Sequence, residues 1–513
     1  MDELILAFDC GTQSTRAMLF NDKGQLIDKE KVCFEPYYSS QEGYAEQDPN
    51  LYWDVFCEAS QKLKARNSDK WASIIGVTVT TMRDVGICVD KDVKPIRPCM
   101  IWLDRREVEC KKPIPFFSRL LFAVAGMTEA VNKNRRDGKV NWIRENEPHV
   151  WEKTYKYLQY STFLTHRLCG NIVDSVASMI VHLPFDYRKK QWMSKNHFQR
   201  CIFEVEQDKL FPLVEPGEVL GFITKDAADA TGITEGLPLI AAGSDKGCET
   251  IGTGAIYENG ASISFGTTAT IQITTPKYVE PEAFLPAYPA VYPKMYNPEI
   301  IVFRGYWMLT WFVNEFIRKT GGKNAMLDEK SLDKMLPSIP AGSEGLVVLP
   351  YWSPSLKKTE ARGAMIGFNE QHTLFHIYRA IIEGINYALL EGMRKLEKRA
   401  KTKIEYIKVS GGGAQSDEVC QITADMFGIP VRRVQTYETS GLGASICAFV
   451  GLKHFDSYDA AIKNMVQDTK EFKPDKTVHA EYEKLFNEIY VRTYPSLKPV
   501  YCRMRKLKFN QED

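Results

Sequence analysis

The chain has 513 residues, a formal net charge of +1 at pH 7 and 44% hydrophobic residues. This length exceeds what one hydrophobic core supports, so we expect at least two domains. The near-neutral charge argues against a nucleic-acid partner, and no apolar run approaches the roughly 18 residues of a membrane span. The twelve cysteines show no C-x-x-C pair or metal-ligand spacing, which predicts reduced thiols in a cytoplasmic protein.

The N-terminal segment predicts strands around a polar turn. LILAFDCGTQSTRAMLF, residues 4–20, contains two apolar runs that flank a turn beginning at Asp9. Together with QLIDKEKVCF it predicts three antiparallel strands. The stretch DPNLYWDVFCEASQKLKAR then predicts a helix, with Asp48 as its cap and Pro49 in its first turn. WASIIGVTVTT predicts a further strand.

A similar pattern returns in the middle of the chain. LPLIAAGSDKGCETIGTGA predicts an apolar strand that ends at Asp245, and GASISFGTTATIQITT repeats the strand–turn–strand design around Gly266 and Thr267. We therefore predict two domains built alike, with a boundary near residue 250. Since no Pro- or Ser-rich linker separates them, we expect them to pack together around a cleft. Beyond residue 455 the pattern predicts mostly helix and a charged tail.

The turn at Asp9 has two interpretations. Glycine and hydroxyl residues present backbone N–H groups and side-chain donors to an anion, whereas a neighbouring carboxylate repels phosphate unless Mg²⁺ lies between them. The alternative is a polar hairpin turn that binds nothing. The second turn at Gly266 favours the first interpretation, because two such turns facing a cleft can hold a polyphosphate from both sides.

A third element is the glycine-rich turn in VSGGGAQSDEVCQITADMFGIPV. A strand ends in three glycines, residues 411–413, and a helix begins near Ser416. Glycines let a flat ring approach the backbone closely, and a helix start offers unpaired N–H donors. The spacing does not match G-x-x-x-x-G-K-[ST], which excludes the phosphate loop of P-loop proteins.

Five ordered motifs resemble those of the FGGY carbohydrate kinases, a family in the actin, sugar kinase and heat-shock ATPase superfamily. They cover nearly the whole chain: FDCGTQSTRAMLFNDKGQLI, GYAEQDPNLYWDVF, VKPIRPCMIWLDRR, ARGAMIGFNEQHTLFHIYRAIIEGINYAL, and SGGGAQSDEVCQITADMFGIPV with ETSGLGASICA. The resemblance implies an α/β fold of two ribonuclease H-like (actin-like ATPase) domains with an active-site cleft between them. It also implies ATP- and Mg²⁺-dependent phosphorylation of a hydroxyl of a small sugar or polyol. Residues 1–250 would bind the sugar or polyol and carry the catalytic base, and residues 251–513 would bind the nucleotide.

The resemblance implies roles for individual residues. Asp9 would hold Mg²⁺ through water, and Asp245 would be the catalytic base. The residues expected at the phosphates and the nucleoside are Thr12, Gln13, Ser14, Arg16, Gly266, Thr267, Gly412 and Ser416. The residues expected at the sugar or polyol are Arg83, Asp84, Trp102, Asp245 and Lys246.

Several of these roles have simpler alternatives. Arg83 and Asp84 can hold adjacent hydroxyls of a polyol, or they can form a salt bridge at a strand end. Trp102 can cover a carbon skeleton or pack in the core. Lys246 stands where glycerol and xylulose kinases usually carry an uncharged residue. Its ammonium can bind a substrate carboxylate or carbonyl, or it can pair with Asp245.

Two further departures from the family pattern concern substrate and nucleotide. Met82-Arg83-Asp84-Val85 replaces the Met-His-Gly type triplet of xylulose kinases, so xylulose is not the first expectation. Tyr306 and Trp307 stand where the family more often has small residues, which leaves the nucleotide contacts of that segment unassigned.

Other classes of function stay open at this point. The chain can be a non-kinase ATPase of the actin-like superfamily, or a catalytically silent sugar-binding regulator, although retention of Asp9 and Asp245 argues against a pure binder. We expect a small sugar or polyol as its partner molecule, no nucleic acid and no membrane, and a homodimer is an open alternative. The basic tail CRMRKLKFNQED is interpreted as a solvated terminus. The alternative is that it binds an acidic partner.

Overall fold

The computed structural model describes residues 3–257, 259–319, 327–353 and 358–507. The chain forms two compact units. The first comprises Met1–Gly254, Pro276–Asn297 and Glu438–Val466, and the second comprises Ala255–Thr275, Pro298–Tyr437 and Gln467–Asp513. Two later segments of the chain therefore return to the first unit. The assignment of sugar binding to residues 1–250 and nucleotide binding to residues 251–513 stays a prediction.

The first unit is built on a six-stranded mixed sheet. Its order across the sheet is Val219–Phe222, Pro238–Ser244, Ile74–Thr81, Leu4–Cys10, Ser14–Asn21 and Leu26–Cys33. The last three strands are antiparallel, as predicted from the sequence. Leu4–Cys10, Ile74–Thr81 and Pro238–Ser244 run parallel to one another, so their C-terminal ends meet at one edge of the sheet.

The second unit repeats this arrangement in its own six-stranded sheet. Its order is Glu299–Val302, Ala269–Ile273, Gly260–Phe265, Tyr406–Ser410, Val431–Val434 and Asp468–Phe472. Three antiparallel strands are again followed by two parallel pairings and an antiparallel edge strand. The prediction of two domains built alike is confirmed by this shared succession of strand directions.

Smaller strands and the helices complete both units. A four-stranded sheet consists of Glu46–Gln47, Cys99–Met100, Gly86–Val89 and Lys156–Gln159. Paired short strands are Phe185–Asp186 with Gln191–Trp192, Asp174–Ser175 with Leu213–Val214, Tyr288–Pro289 with Tyr296–Asn297, and Val347–Leu349 with Ala364–Ile366. The α-helices are Pro49–Arg66, Phe116–Val124, Thr128–Asp137, Lys139–Asn146, Pro148–Lys153, Tyr160–Cys169, Lys225–Thr231, Asp245–Gly252, Trp307–Phe312, Glu329–Asp333, Leu374–Ala400, Asp417–Phe427, Thr439–Gly451, Tyr458–Met465, Lys476–Leu485 and Val491–Lys506. In the part of the chain that the structure describes, every helix is too short or too polar to cross a membrane.

The predicted helix after residue 48 shows how local sequence sets an element. The Asp48 carboxylate accepts the N–H of Asn50, and Pro49 occupies the first helical turn, where its missing N–H costs nothing. One face of Pro49–Arg66 is buried, including Val55, Phe56 and Leu63, and the ring of Phe56 stacks on Phe8 of the central strand at 3.8 Å between ring centres. The helix is therefore fixed to the sheet that carries Asp9.

The chain beyond residue 455 is mostly helical, as predicted, and it contains one strand that the sequence did not indicate. Asp468–Phe472 forms the edge strand of the second sheet. Four of its five residues are exposed, so the strand lacks the apolar alternation by which strands are recognised. The last residues of the basic tail, 508–513, lie outside the described residues.

Candidate active site

Asp9 lies at the end of the central strand of the first unit, directly before a tight turn. Residues 11–13 connect Leu4–Cys10 to Ser14–Asn21, and the Gly11 N–H donates to the Ser14 carbonyl at 3.0 Å. The antiparallel register places Arg16 opposite Asp9, and the Arg16 guanidinium donates to its carboxylate at 3.0 Å. Asp9, the predicted Mg²⁺ ligand, is thus already paired with Arg16, which was predicted to contact the phosphates.

Negative charge is concentrated around Asp9. Burial raises the pKa of Asp9 to about 6, and although Arg16 lowers it, the carboxylates of Asp245, Glu438 and Glu249 raise it further. Arg16 also lies 3.6 Å from Glu438. The Arg16 guanidinium is therefore shared between two carboxylates. Because the neighbouring carboxylates raise the pKa of Asp9, an additional cation there would be electrostatically favoured.

Asp245 begins a helix. The strand Pro238–Ser244 ends one residue earlier than predicted, and Ser244 caps the helix Asp245–Gly252 by accepting the Gly247 N–H at 3.3 Å. Arg83 Nε lies 3.4 Å from Asp245 Oδ1. The Arg83 guanidinium also lies 5.6 Å from the centre of the Tyr288 ring, so this side chain is held from two sides.

Lys246 pairs with Glu249, a carboxylate for which the sequence predicted no role. Its ammonium lies 2.6 Å from Glu249 Oε2, one turn further along the helix. Burial lowers the pKa of Lys246, but Glu249 and then Asp245 outweigh this and raise the pKa above its ordinary value. Lys246 is therefore charged at neutral pH, and its charge is balanced within the site.

Asp84 has an unusual conformation and several partners. Its φ of 57° is in the left-handed region, which non-glycine residues rarely adopt. The Lys139 ammonium donates to Asp84 Oδ2 at 2.5 Å and to its carbonyl at 2.6 Å. His182 contributes its backbone N–H to Oδ1 at 3.1 Å and its ring Nδ1 to Oδ2 at 2.8 Å. Asp84 is thus paired with Lys139 and His182, whereas Arg83 lies beside Asp245.

The charge state of Asp84 follows from these contacts. Burial alone would raise the pKa of Asp84, but His182 and Lys139 outweigh it and hold the pKa well below its usual range. Asp84 is therefore ionised at neutral pH and can only accept hydrogen bonds.

Trp102 connects the predicted substrate site to the phosphate turn. Its indole Nε1 donates to Thr12 Oγ1 at 2.9 Å, and the ring packs partly buried against the core of the first unit. Trp102 therefore packs in the core and also fixes the Thr12 hydroxyl of the turn through its indole N–H. Among the other turn residues, Gln13 is exposed and Ser14 is buried at the start of the next strand.

The second unit contains the corresponding turn. Residues 266–268 connect Gly260–Phe265 to Ala269–Ile273, and the carbonyls of Gly266 and Thr267 accept the N–H groups of Tyr306 and Trp307 at 3.1 and 3.4 Å. The turn is thus held by the segment whose nucleotide contacts the sequence left unassigned.

The glycine-rich turn of the second unit has an open and a closed side. A Cβ at Gly412 would meet nothing within 4 Å, whereas at Gly413 it would lie 2.3 Å from the Tyr306 ring. Ser416 caps the helix Asp417–Phe427 by accepting the Val419 N–H at 3.3 Å. Gly412 therefore offers the accessible backbone surface, and Tyr306 supports the turn from the opposite side.

Further residues, which no sequence motif predicted, hold the predicted ones in place. They are Lys139 and His182 at Asp84, Glu249 at Lys246, Glu438 at Arg16 and Tyr288 at Arg83. Of these, Glu438 lies inside a quoted motif and Glu249 lies one turn after Lys246, so local signals existed for both. Nothing local to the sequence connects Asp84 with Lys139 or His182.

The donor set fits Mg²⁺. Carboxylate oxygen is the ligand type that Mg²⁺ prefers, and Mg²⁺ in phosphoryl-transfer sites is commonly held by one or two carboxylates, waters and substrate phosphates. Within the described residues no group of three or more His, Cys, Asp or Glu side chains forms a ready-made metal cage. Asp9 therefore fits a metal held mainly through water and phosphate, and the charge around it favours such a cation.

Two models of one protein family match most of the chain. The model of the FGGY family of carbohydrate kinases, N-terminal domain, matches residues 4–252, and that of the C-terminal domain matches residues 261–452. The chain is 27% identical to a xylulose kinase from Lactococcus lactis over 99% of both chains, and 25% identical to a gluconokinase from Bacillus licheniformis over 98% of both.

The fold of the chain is similar to that of a solved structure. A gluconate kinase from Lactobacillus acidophilus matches with a TM-score of 0.83 at 21% identity, over 98% of this chain and 100% of the other. The predicted fold class, α/β with two ribonuclease H-like domains of the actin-like ATPase type, is confirmed by this match and by the repeated sheet topology.

Proposed function

Because the chain belongs to the FGGY family of carbohydrate kinases and is itself a carbohydrate kinase, we propose that it transfers the terminal phosphoryl group of ATP to a hydroxyl of a small sugar or polyol. The observation that carries this proposal is the position of Asp245. It begins a helix at the edge of the first sheet, lies 3.4 Å from Arg83, and is close enough to Asp9 to raise its pKa.

Asp245 is proposed as the general base. Phosphoryl transfer needs charge neutralisation and an in-line hydroxyl, with little covalent help from the protein. A carboxylate at a fixed helix start can accept the hydroxyl proton as the phosphoryl group is transferred. The Arg83 contact orients the Asp245 carboxylate. A Mg²⁺ held through Asp9 would supply charge neutralisation at the phosphates.

The remaining predicted residues are proposed to bind the two substrates. Thr12, whose hydroxyl is fixed by Trp102, and the backbone of the Gly11–Gln13 turn would contact phosphate from the first unit. Gly266 and Thr267 would do so from the second unit. Gly412 and Ser416 would border the nucleoside, and the accessible backbone at Gly412 supports this assignment. Arg16 would contact phosphate while it stays paired with Asp9.

The sugar site is proposed to contain Arg83, Asp84, Trp102, Asp245 and Lys246. Since Glu249 already balances the charge of Lys246, a neutral hydroxyl or carbonyl is a better partner for that ammonium than a substrate carboxylate. This supports a sugar or polyol over a sugar acid. Xylulose and gluconate are the substrates named for two similar proteins, so both belong in a direct test.

The test is ADP release with Mg-ATP and a panel of glycerol, a tetritol, a pentitol, D-xylulose and D-gluconate. We expect ADP release that depends on one or a few panel compounds and on Mg²⁺. Release of ADP that is indifferent to every compound would identify an ATPase without a sugar acceptor. Complete absence of ADP release would favour a binding protein instead.

The Asp245→Asn variant then tests the catalytic residue. It retains the shape of the side chain but cannot take a proton, so kcat should fall by about 10²- to 10⁴-fold with the preferred compound. Nucleotide binding, measured by calorimetry with ADP, should stay unchanged. The matched control is Asp229→Asn, at an exposed position of the helix Lys225–Thr231. A near-normal kcat in Asp245→Asn would exclude Asp245 as the base.

A further inference from the structure

His182 lies beside the proposed sugar site but belongs to none of the sequence motifs. It is in the loop between the turn Val176–Ser178 and the strand Phe185–Asp186. Tyr187 fixes this loop, because its hydroxyl donates to the Val181 carbonyl at 3.0 Å and accepts the Val181 N–H at 3.1 Å. The backbone next to His182 is therefore well anchored.

The two nitrogens of the His182 ring have different surroundings. Nδ1 lies 2.8 Å from Asp84 Oδ2. Because Asp84 is ionised and can only accept, Nδ1 must carry the proton of this hydrogen bond. Nε2 has no hydrogen-bond partner among the described residues, and the side chain is 43% exposed. The ring thus has one occupied nitrogen and one available nitrogen, in an orientation set by Asp84.

Asp84, by contrast, has little capacity left for a substrate. A carboxylate offers roughly four acceptor positions. Oδ2 accepts from Lys139 and from the His182 ring, and Oδ1 accepts from the His182 backbone. The left-handed φ of 57° at Asp84 adds strain that the surrounding contacts must offset. A strained carboxylate whose acceptors are nearly all occupied is suited to positioning other groups.

His182 is linked through Asp84 and Arg83 to the proposed base Asp245. Asp84 directly follows Arg83, and Arg83 Nε lies 3.4 Å from the carboxylate of the proposed base Asp245. The chain of contacts from His182 to Asp84, and along the backbone to Arg83 and Asp245, lies entirely in the first unit. The Phe203 ring contacts the His182 imidazole edge to face, with the ring centres 5.5 Å apart and an angle of 67° between the planes.

We propose that His182 contacts the substrate and binds a sugar or polyol hydroxyl by a hydrogen bond at Nε2. Asp84 is the positioning residue that orients the His182 ring. A hydroxyl is a suitable partner because it can donate to a neutral ring or accept from a protonated one. This inference rests on the proposed function for the identity of its ligand. It adds a specificity residue that the sequence motifs do not contain.

Two substitutions separate contact from positioning. His182→Asn retains a donor near the Nδ1 position but lacks any group at Nε2. His182→Gln places an amide near the Nε2 position but loses the contact with Asp84. If Nε2 binds a hydroxyl, His182→Asn should raise the KM for the preferred panel compound by about 3- to 10-fold, the effect of one hydrogen bond. The KM for ATP should not change. His182→Gln should recover part of the loss.

A control variant and an NMR measurement accompany the two His182 substitutions. His149→Gln changes an exposed histidine on the helix Pro148–Lys153 of the same unit and should leave both KM values unchanged. Nitrogen NMR of the imidazoles in the full chain should show a shift of the His182 Nε2 resonance when the preferred compound is added without nucleotide. The resonance is assigned by its loss in His182→Asn.

The outcomes distinguish this inference from the proposed function. Turnover with a panel compound, but normal KM and no shift at Nε2, would overturn the role of His182 and leave the kinase proposal intact. A shift at Nε2 without phosphorylation of any compound would overturn the kinase proposal and support the contact. Neither phosphorylation nor a shift would overturn both.

Discussion

At the scale of single residues, the candidate site is a set of charges that balance one another within the first unit. Asp9 is paired with Arg16, Lys246 with Glu249, and Asp84 with Lys139. Removal of one member of a buried pair leaves the other charge desolvated, which costs more than the pair itself contributes. Substitutions at these positions will therefore affect stability, and this effect has to be measured separately from the proposed role in ligand binding.

The pH dependence of stability should show the role of Asp84. Asp84→Asn removes the charge, while asparagine tolerates the left-handed backbone. Lys139, which is 7% exposed, then loses its carboxylate, so the free energy of unfolding of the first unit at pH 7 should fall by about 3–5 kcal/mol. Because the pKa of Asp84 is lowered on folding, this stabilisation is complete above about pH 4, the unfolded value, and is lost as pH falls toward the folded pKa.

The measurement is urea unfolding at pH 7, 5 and 3, followed by circular dichroism. The difference between the native chain and Asp84→Asn should be equal at pH 7 and 5 and smaller at pH 3. Asp92→Asn, at an exposed turn, serves as the control and should have no effect at any pH. A difference that grows toward low pH would contradict the proposed ion pairs.

At the scale of elements, the helix that carries Asp245 is positioned by glycines of another helix. Asp245–Gly252 packs on Thr439–Gly451, which contains the Gly-Leu-Gly of the ETSGLGASICA motif. A Cβ at Gly443 would lie 1.9 Å from the Cys248 carbonyl, and a Cβ at Gly252 would lie 1.9 Å from the Thr439 carbonyl. The two helix backbones touch at these positions, so the motif determines where the Asp245 helix lies.

Gly443→Ala should therefore displace the Asp245 helix. The added methyl group overlaps backbone atoms that cannot rotate away, and overpacking of this kind typically costs about 1–3 kcal/mol. We expect a lower midpoint in urea unfolding and, in the folded protein, a reduced kcat without a change in the KM for ATP. Gly412→Ala is the control for stability, because a Cβ there meets nothing within 4 Å. Normal kcat and stability in Gly443→Ala would show that the helices adjust without consequence.

At the scale of the whole molecule, each unit has its own hydrophobic core. One core contains Phe8, Phe56 and Phe163 of the first unit, and the other contains Phe265, Phe312 and Phe427 of the second. Because each unit has its own core, each can unfold cooperatively by itself. We therefore do not expect a single two-state transition for the full chain.

Calorimetry of the full chain should show two transitions that respond to different substitutions. Asp84→Asn should lower one transition, and Ser416→Ala, which removes the N-cap of Asp417–Phe427 at a cost of about 1 kcal/mol, should lower the other by about 2–4 °C. Each variant serves as the control for the other. One transition that both substitutions shift equally would show that the two units unfold together.

The sequence by itself determined the parts of this protein that local physics specifies. The polar turns after Cys10 and Phe265, the cap at Asp48 and the helix start at Ser416 all depend on residues within a few positions of one another. Two copies of the same strand–turn–strand pattern were enough to predict two domains built alike, because strand periodicity and turn chemistry are short-range properties. The edge strand Asp468–Phe472 was not predicted, because an exposed edge strand lacks that periodicity.

Only the tertiary structure decided which charged groups meet. Asp84 takes its partners from Lys139 and His182, which are 55 and 98 positions away, and no periodicity relates them. A sequence pattern could place Asp84 at a strand end and assign it to the sugar by resemblance. It could not show that its oxygens are already occupied, or that a histidine in a distant loop has one ring nitrogen available. The physical reason is that hydrogen bonds and ion pairs act over a few ångströms in space, and only the folded chain brings distant residues within that range.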